Sequence, residues 1–343
     1  MGNKYINKDT ILIYFYSDYK ESFINLYASI KKLGLLEPKN IYSILIYKSD
    51  EKILDDSIVK KFNLCKKVDC ESDLNGYFEG IQSVDFKDFK YFLFMNSSCL
   101  GPILPIYFKK ENWDKILKGQ LIKADLISPI IEFPPYGDKY VENLKDNYNL
   151  YNLKNFKTIP FAHSYFLFMN KNAIKTILEN NGFPNYNVEK KYAISFYERY
   201  ITAILISKNL KIKSFLKKFE HIIFSKDQIP KFINKYFKDK SFEIFKDPEI
   251  PNLGYFGSDL NPYEVVFFKN LRFPHSQRGE EFANISSNNK KFLDSIISLK
   301  EIRNKFNIND EVKINKKKSI SIIIKPKSFI IKSKKLFQSL FFK

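Results

Sequence analysis

Asn96, Ser97 and Ser98 follow directly on an apolar run at residues 91–95, and Gly101-Pro102 comes three residues after them. Amide and hydroxyl groups at the end of a buried strand can position a polar ligand without carrying charge themselves. In open α/β sheets ligands bind beyond the carboxyl ends of the strands, so such a polar exit is where a ligand would sit. Gly101 and Pro102 would turn the chain sharply there and keep the backbone close to it. An ordinary strand-to-loop turn accounts for the same residues. Other chemistry is excluded more readily. Cys65, Cys70 and Cys99 are odd in number and lack a paired metal-ligand spacing, which indicates neither a disulfide framework nor a zinc site and fits a reducing, cytosolic compartment.

The elements that must position this exit are legible as alternating patterns. Residues 11–16 form a continuous apolar run, and at 21–33 Phe23, Leu26, Tyr27 and Ile30 recur at helical spacing until Gly34. A second apolar run (41–47), an amphipathic stretch (53–62), a short segment (67–70) and a helix (74–84) lead to the strand at 91–95. Beyond it the pattern predicts a helix containing Trp113 and Ile116, strands at 126–131 and 165–169, and helices at 173–178 and 193–205. Residues 134–157, rich in Tyr, Asn, Asp and Lys, read as a long loop. Strand and helix alternating on this scale predict an α/β fold with a parallel sheet and right-handed crossovers.

Charge is unevenly spread over the 343 residues. The net charge is +19, of which residues 313–343 carry +10 through ten Lys without an acidic residue. Lysine outnumbers arginine 53 to 4 in a chain also crowded with Ile, Asn, Phe and Tyr, a bias that base composition alone produces. The hydrophobic share of 44% suffices for a sizeable core and argues against disorder. No signal peptide or membrane-spanning run is recognisable, so a cytoplasmic location is expected.

The sequence from Tyr91 to Pro105, Tyr-Phe-Leu-Phe-Met-Asn-Ser-Ser-Cys-Leu-Gly-Pro-Ile-Leu-Pro, with Trp113 downstream, resembles a signature of GT-A-like glycosyltransferases found in bacterial polysaccharide loci and large viruses. Three further segments fall in the family's order: His163-Ser164 before the strand at 165–169, Tyr197-Glu198 opening into 201–206, and residues 261–269. The resemblance spans about residues 11–272. It implies a GT-A-like, Rossmann-like, mostly parallel sheet flanked by helices over residues 1–280, with a helical extension (281–312) and a basic amphipathic tail (313–343). It also implies hexosyltransferase-like transfer from a nucleotide-sugar donor to a surface-polysaccharide or lipid-linked glycan acceptor.

That reaction assigns roles. Glu198, near the start of a helix and between its apolar and polar faces, is the catalytic base candidate, and it matches a recurring Glu of the family; a surface pair with Arg199 explains it equally. Asn96, Ser97, Ser98, Gly101, Glu79, His163, Lys269 and Arg272 are the donor-binding candidates. His163 departs from the family pattern, which has a Gln between the His and the Ser. GT-A enzymes commonly offset the leaving diphosphate with a divalent cation held by Asp-x-Asp, but here the neutral Asn-Ser-Ser stands in that place, a poor set for a hard ion. Two readings stand: Mn²⁺ or Mg²⁺ held chiefly by the diphosphate with help from a side chain such as His275, or charge met by Lys269 and Arg272. The tail, with Phe329, Ile330, Leu336, Phe337, Leu340 and Phe341 near helical spacing among lysines, suits an anionic membrane surface. Two alternatives remain from other classes, a nucleic-acid-binding protein using the tail and a catalytically inactive GT-A-like binding module. Against the first, the folded part shows no basic stripe interleaved with aromatics and no recognisable nucleic-acid motif, so no nucleic-acid partner is expected.

Overall fold

The computed structural model describes residues 5, 7–17, 22–48, 56–105, 107–134, 138–147, 150, 153–156, 158–236 and 262–269. The first elements alternate: β1 (Thr10–Tyr16), α1 (Ser22–Lys31), β2 (Ile41–Lys48), α2 (Asp56–Val59), β3 (Leu64–Val68), α3 (Asp73–Gln82) and β4 (Tyr91–Asn96). Next come β5 (Cys99–Leu100), α4 (Trp113–Leu121), β6 (Leu126–Ser128), β7 (Ile131–Glu132), α5 (Lys139–Asn147), β8 (Phe161–Ala162), β9 (Phe166–Asn170) and α6 (Lys171–Glu179). α7 (Lys190–Tyr192) passes through a π-helical segment (Ala193–Tyr197) into α8 (Glu198–Ser207), followed by β10 (Ile212–Ser214), α9 (Gln228–Tyr236), α10 (Pro262–Val265) and β11 (Phe268–Lys269).

Seven strands make the central sheet in the order β10-β6-β9-β4-β1-β2-β3, so the fold is mixed α/β with a mostly parallel sheet and flanking helices. β9 runs antiparallel to both β4 and β6, while the other pairings are parallel. This one reversal matters for the site. Residues that precede an antiparallel strand emerge at the same sheet end as residues that follow its parallel neighbours, and Met95 of β4 sits opposite Phe166 of β9.

All seven residues of β1 are buried, as expected of a strand covered on both faces, which explains its unbroken apolar run. α3 lies against it through two glycines one turn apart. A Cβ on Gly76 would stand 2.1 Å from Phe15 Cδ2, and one on Gly80 would stand 2.5 Å from Ile13 Cγ2. The glycines around Glu79 therefore serve close helix-to-strand packing and form no turn. Ser72 caps α3, its hydroxyl accepting from the Asn75 amide at 3.2 Å.

Several expectations need correction. The stretch at 134–157 contains α5, whose buried apolar residues in its first two turns are only Val141 and Leu144. The third inward position is Lys145, whose ammonium bonds the Phe156 carbonyl at 2.7 Å, so the apolar stripe is too thin to read from hydropathy. β3 lies at 64–68 and carries Lys66 and Lys67 as befits an edge strand. The run at 126–131 divides into β6 and β7 around Pro129. The apolar run at 265–268 is not a strand: α10 ends in it, and Val266 takes φ +62°, a left-handed conformation rare for a β-branched residue. The helix around Glu198 starts at Lys190, so Glu198 lies inside a continuous helical stretch and follows its π segment.

Candidate functional site

Phe15 of β1 is level with Asn96 of β4, and beyond them both strands run out into polar residues. The three residues of the exit face different tasks. Ser97 turns inward: its hydroxyl donates to the Ser17 carbonyl at 3.0 Å, and its own carbonyl accepts from Asn25 Nδ2 at 3.0 Å. It thereby ties β4 to the end of β1 and to α1. Ser98 folds back on Asn96, whose Oδ1 accepts from the Ser98 amide at 3.0 Å and from its hydroxyl at 2.5 Å. Asn96 Nδ2 then donates to Asp73 Oδ2 at 2.6 Å.

Asp73 is the carboxylate that the strand exit itself lacks. It arrives from the first turn of α3, and nothing in its local sequence marks it except the Ser72 cap that fixes where the helix begins. Its Oδ2 also accepts from the Ser164 hydroxyl at 3.1 Å. Ser164 stands just ahead of β9, brought to this end by the reversed strand, and its backbone amide donates to Glu198 Oε1. Its carbonyl accepts from the buried Tyr77 hydroxyl at 2.9 Å. Burial, aided by nearby Asp73, raises the Tyr77 pKa well above the ordinary phenol range, so this hydroxyl stays a donor. Asn96, Asp73, Ser164 and Glu198 are thus linked in one chain of hydrogen bonds across α3, β4, β9 and α8.

Glu198 is buried, and among the described residues no hydrogen bond reaches its second carboxylate oxygen. Its expected partner Arg199 is engaged elsewhere, with Asp138 at 2.6 Å and over the rings of Tyr140 and Phe161 at 5.3 and 5.4 Å. The π segment that precedes Glu198 is a feature often found at functional sites.

Lys269 reaches the same end from β11, whose pairing sets it opposite Cys99, next to Ser98. Its ammonium lies 5.7 Å from the Tyr165 ring centroid. Lys190 at the start of α7 is exposed in area, yet surrounding protein and the like charge of Lys269 lower its pKa from the usual lysine value. Two ammonium groups held close enough to repel each other make a place where an anion is favoured. Nothing in the sequence singles out Lys190, one lysine among 53.

The remaining candidates separate from this cluster. Gly101 is buried, its amide donates to Ser29 Oγ at 3.3 Å, and a Cβ there would meet Phe267 Cδ1 at 2.4 Å and the Val266 carbonyl oxygen at 2.8 Å. Its glycine character answers to the packing of residues 265–268. Glu79 lies more than a turn beyond Asp73 on α3 and pairs with Lys66 at 2.6 Å. His163 is buried, stacks on Phe161 and lies 3.0 Å through Nε2 from Glu132 Oε2. Arg272 and His275 lie outside the described residues, as do 281–343.

The set is a poor fit for a protein-held divalent cation. Asp73 Oδ2 already accepts from two side chains and Oδ1 from the Leu74 amide, and the other oxygens at the exit are neutral. Among the described residues no three His, Cys, Asp or Glu side chains gather into a metal-binding group. Among them, too, no helix is long and apolar enough to cross a membrane.

No family model matches the chain, and no curated protein does. Three solved structures show partial likeness. A mannosyltransferase from Pyrobaculum calidifontis in complex with GDP-Man and Mn²⁺ is 10% identical over 87% of this chain and 76% of its own, with a TM-score of 0.36. Core-mannan synthase A from Aspergillus fumigatus, in a Mn/GDP form, is 13% identical over 61% and 73%, with a TM-score of 0.35. A 4-diphosphocytidyl-2C-methyl-D-erythritol synthase from Anaerococcus prevotii is 13% identical over 55% and 82%, with a TM-score of 0.31.

Proposed function

We propose that this chain is a glycosyltransferase that moves a hexose-like sugar from a nucleotide-sugar donor to a surface-polysaccharide or lipid-linked glycan acceptor. The observation that carries the reading is the meeting, at the carboxyl end of one sheet, of a buried carboxylate with an open oxygen and a lysine beside the strand exit. In a direct displacement Glu198 takes the proton of the acceptor hydroxyl as its oxygen bonds to the anomeric carbon. The bond from that carbon to the diphosphate breaks, and its electron pair leaves on the phosphate oxygen. Lys269, assisted by Lys190, meets the charge that develops there.

Asn96 and Ser164 hold Asp73 and Glu198 in their relative places, and the Ser164 amide fixes which oxygen of Glu198 is occupied. Arg272 is assigned to the same diphosphate, His275 to a metal ligand, and residues 313–343 to an anionic membrane surface on the cytoplasmic side, all from the sequence. Incubating the purified full-length protein with a panel of nucleotide sugars and measuring nucleotide release, with calorimetry for binding, tests the reading. Binding of at least one donor and its turnover are expected, and absence of binding by all of them would overturn it.

A further inference from the structure

Among the described residues the exposed large apolar side chains are five, and three fall within nine residues of one another: Tyr186 at 57%, Tyr192 at 41% and Ile194 at 47% exposure. They lie on the approach to Glu198. Ile194 precedes it by four residues within the same helical stretch, and Tyr192 by six, roughly 9 Å along the axis at ~1.5 Å per residue.

These rings are held in place. Tyr192 stacks on Phe196 with centroids 5.3 Å apart and planes 3° from parallel, and Phe196 packs edge-on against Tyr197 at 4.9 Å. The Tyr186 hydroxyl is 3.4 Å from that of Tyr197. Its backbone is clamped by Asn75 of α3, whose Nδ2 donates to the carbonyls of Tyr186 at 2.5 Å and Pro184 at 3.2 Å while Oδ1 accepts from the Val188 amide at 3.2 Å. Asn75 sits two residues from Asp73, so the shelf and the site are fixed by the same turn of helix. Exposed aromatic rings on a fixed backbone present a pre-organised surface, one whose ordering cost is met before anything binds.

We infer that Tyr186, Tyr192 and Ile194 form a saccharide-binding shelf that seats the acceptor glycan beside Glu198. A pyranose ring has a C–H face that packs on an aromatic plane and an edge of hydroxyls that the tyrosine hydroxyls can meet, the pairing of apolar body and polar tip that Tyr supplies. The shelf is continuous with the carboxylate that needs a hydroxyl delivered to it. Calling the bound sugar the acceptor rests on the glycosyltransferase reading, whereas saccharide binding by the shelf does not.

The test is saturation-transfer NMR on the full-length protein with lactose, cellobiose, mannobiose and diacetylchitobiose as probes, alongside calorimetry with nucleotide sugars. At least one disaccharide is expected to receive saturation on one ring face. Its affinity should fall at least tenfold in Tyr186→Ala/Tyr192→Ala and stay within twofold in Tyr192→Phe and in Tyr107→Ala, which removes an exposed ring from another segment. No saturation of any probe by the wild type, or equal saturation by the double variant, overturns the shelf. If nucleotide sugars bind and disaccharides do not, the shelf alone falls. If disaccharides bind through these tyrosines and no nucleotide sugar does, the transferase reading falls and the shelf stands as a carbohydrate-binding surface.

Discussion

The two ends of the central sheet both gather buried polar groups, and they treat carboxylates in opposite ways. At the amino end Lys118 bonds Asp9 through both oxygens at 2.8 and 3.0 Å and Asp114 at 2.8 Å, and Asn40 bridges the same two carboxylates at 2.8 Å each. Every charge there has met its opposite. At the carboxyl end Asp73 and Glu198 are held by an amide, a hydroxyl and a peptide N–H, all neutral. Neutral donors fix a carboxylate without cancelling it, so its charge remains for a proton or a ligand. A closed ion network holds structure, and an oriented but uncancelled carboxylate is equipped for chemistry.

The sharpest break between the two ends should come from Glu198→Gln, which keeps shape and loses the base. Transfer from a nucleotide sugar is expected to drop ~10²–10⁴-fold with little change in melting temperature. Retained turnover would remove Glu198 as base. Lys118→Met is expected to do the reverse, costing about 2–4 kcal/mol in denaturant unfolding, because Asp114, 3% exposed, keeps a buried charge without its cation. The specific activity of the folded fraction should be unchanged, and a loss of activity per folded molecule would show the two ends to be coupled. Smaller again is Lys269→Ala. It should raise the donor Kd about tenfold, roughly 1.4 kcal/mol, by calorimetry, leaving acceptor binding alone, and an unchanged donor affinity would take Lys269 out of the diphosphate contact.

Much of the sheet was legible because strands buried on both faces write themselves as apolar runs, as β1, β2, β4 and β9 do. The direction of β9 was not legible, since a buried strand has the same pattern whichever way it runs, and that direction is what delivers Ser164 to Glu198. Asn96 through Ser98 and Glu198 stood out by type and position. Asp73 did not, because an acidic residue in a helix's first turn is ordinarily explained by the cap and the dipole, and its partners lie 23 and 91 residues away. Tyr186 and Tyr192 were hidden in a chain with 22 tyrosines, where only exposure on a held backbone sets two of them apart. Glu79 and Gly101 drew notice for the glycines around them, and those glycines answer to Phe15, Ile13 and Phe267.

The smallest expected effect is a pH dependence confined to the amino end. Burial alone would raise the Asp9 pKa, but the Lys118 ammonium, with Asn40 and Thr10 donating as well, outweighs it and holds the carboxyl below its ordinary value. A carboxylate whose pKa is lower folded than unfolded binds fewer protons in the native state. Its contribution is therefore present in full above the unfolded value and is lost as pH falls through the folded one. Because 37% of the Asp9 side chain is exposed, solvent screens the interaction, and the contribution should stay under about 1 kcal/mol. Unfolding by urea between pH 6 and pH 3 should show wild type losing more stability than Asp9→Asn over the acid part of the range, with the two curves parallel above it. Parallel curves throughout would mean that Lys118 is satisfied by Asp114 alone, and the closed network at this end would shrink to a single buried pair.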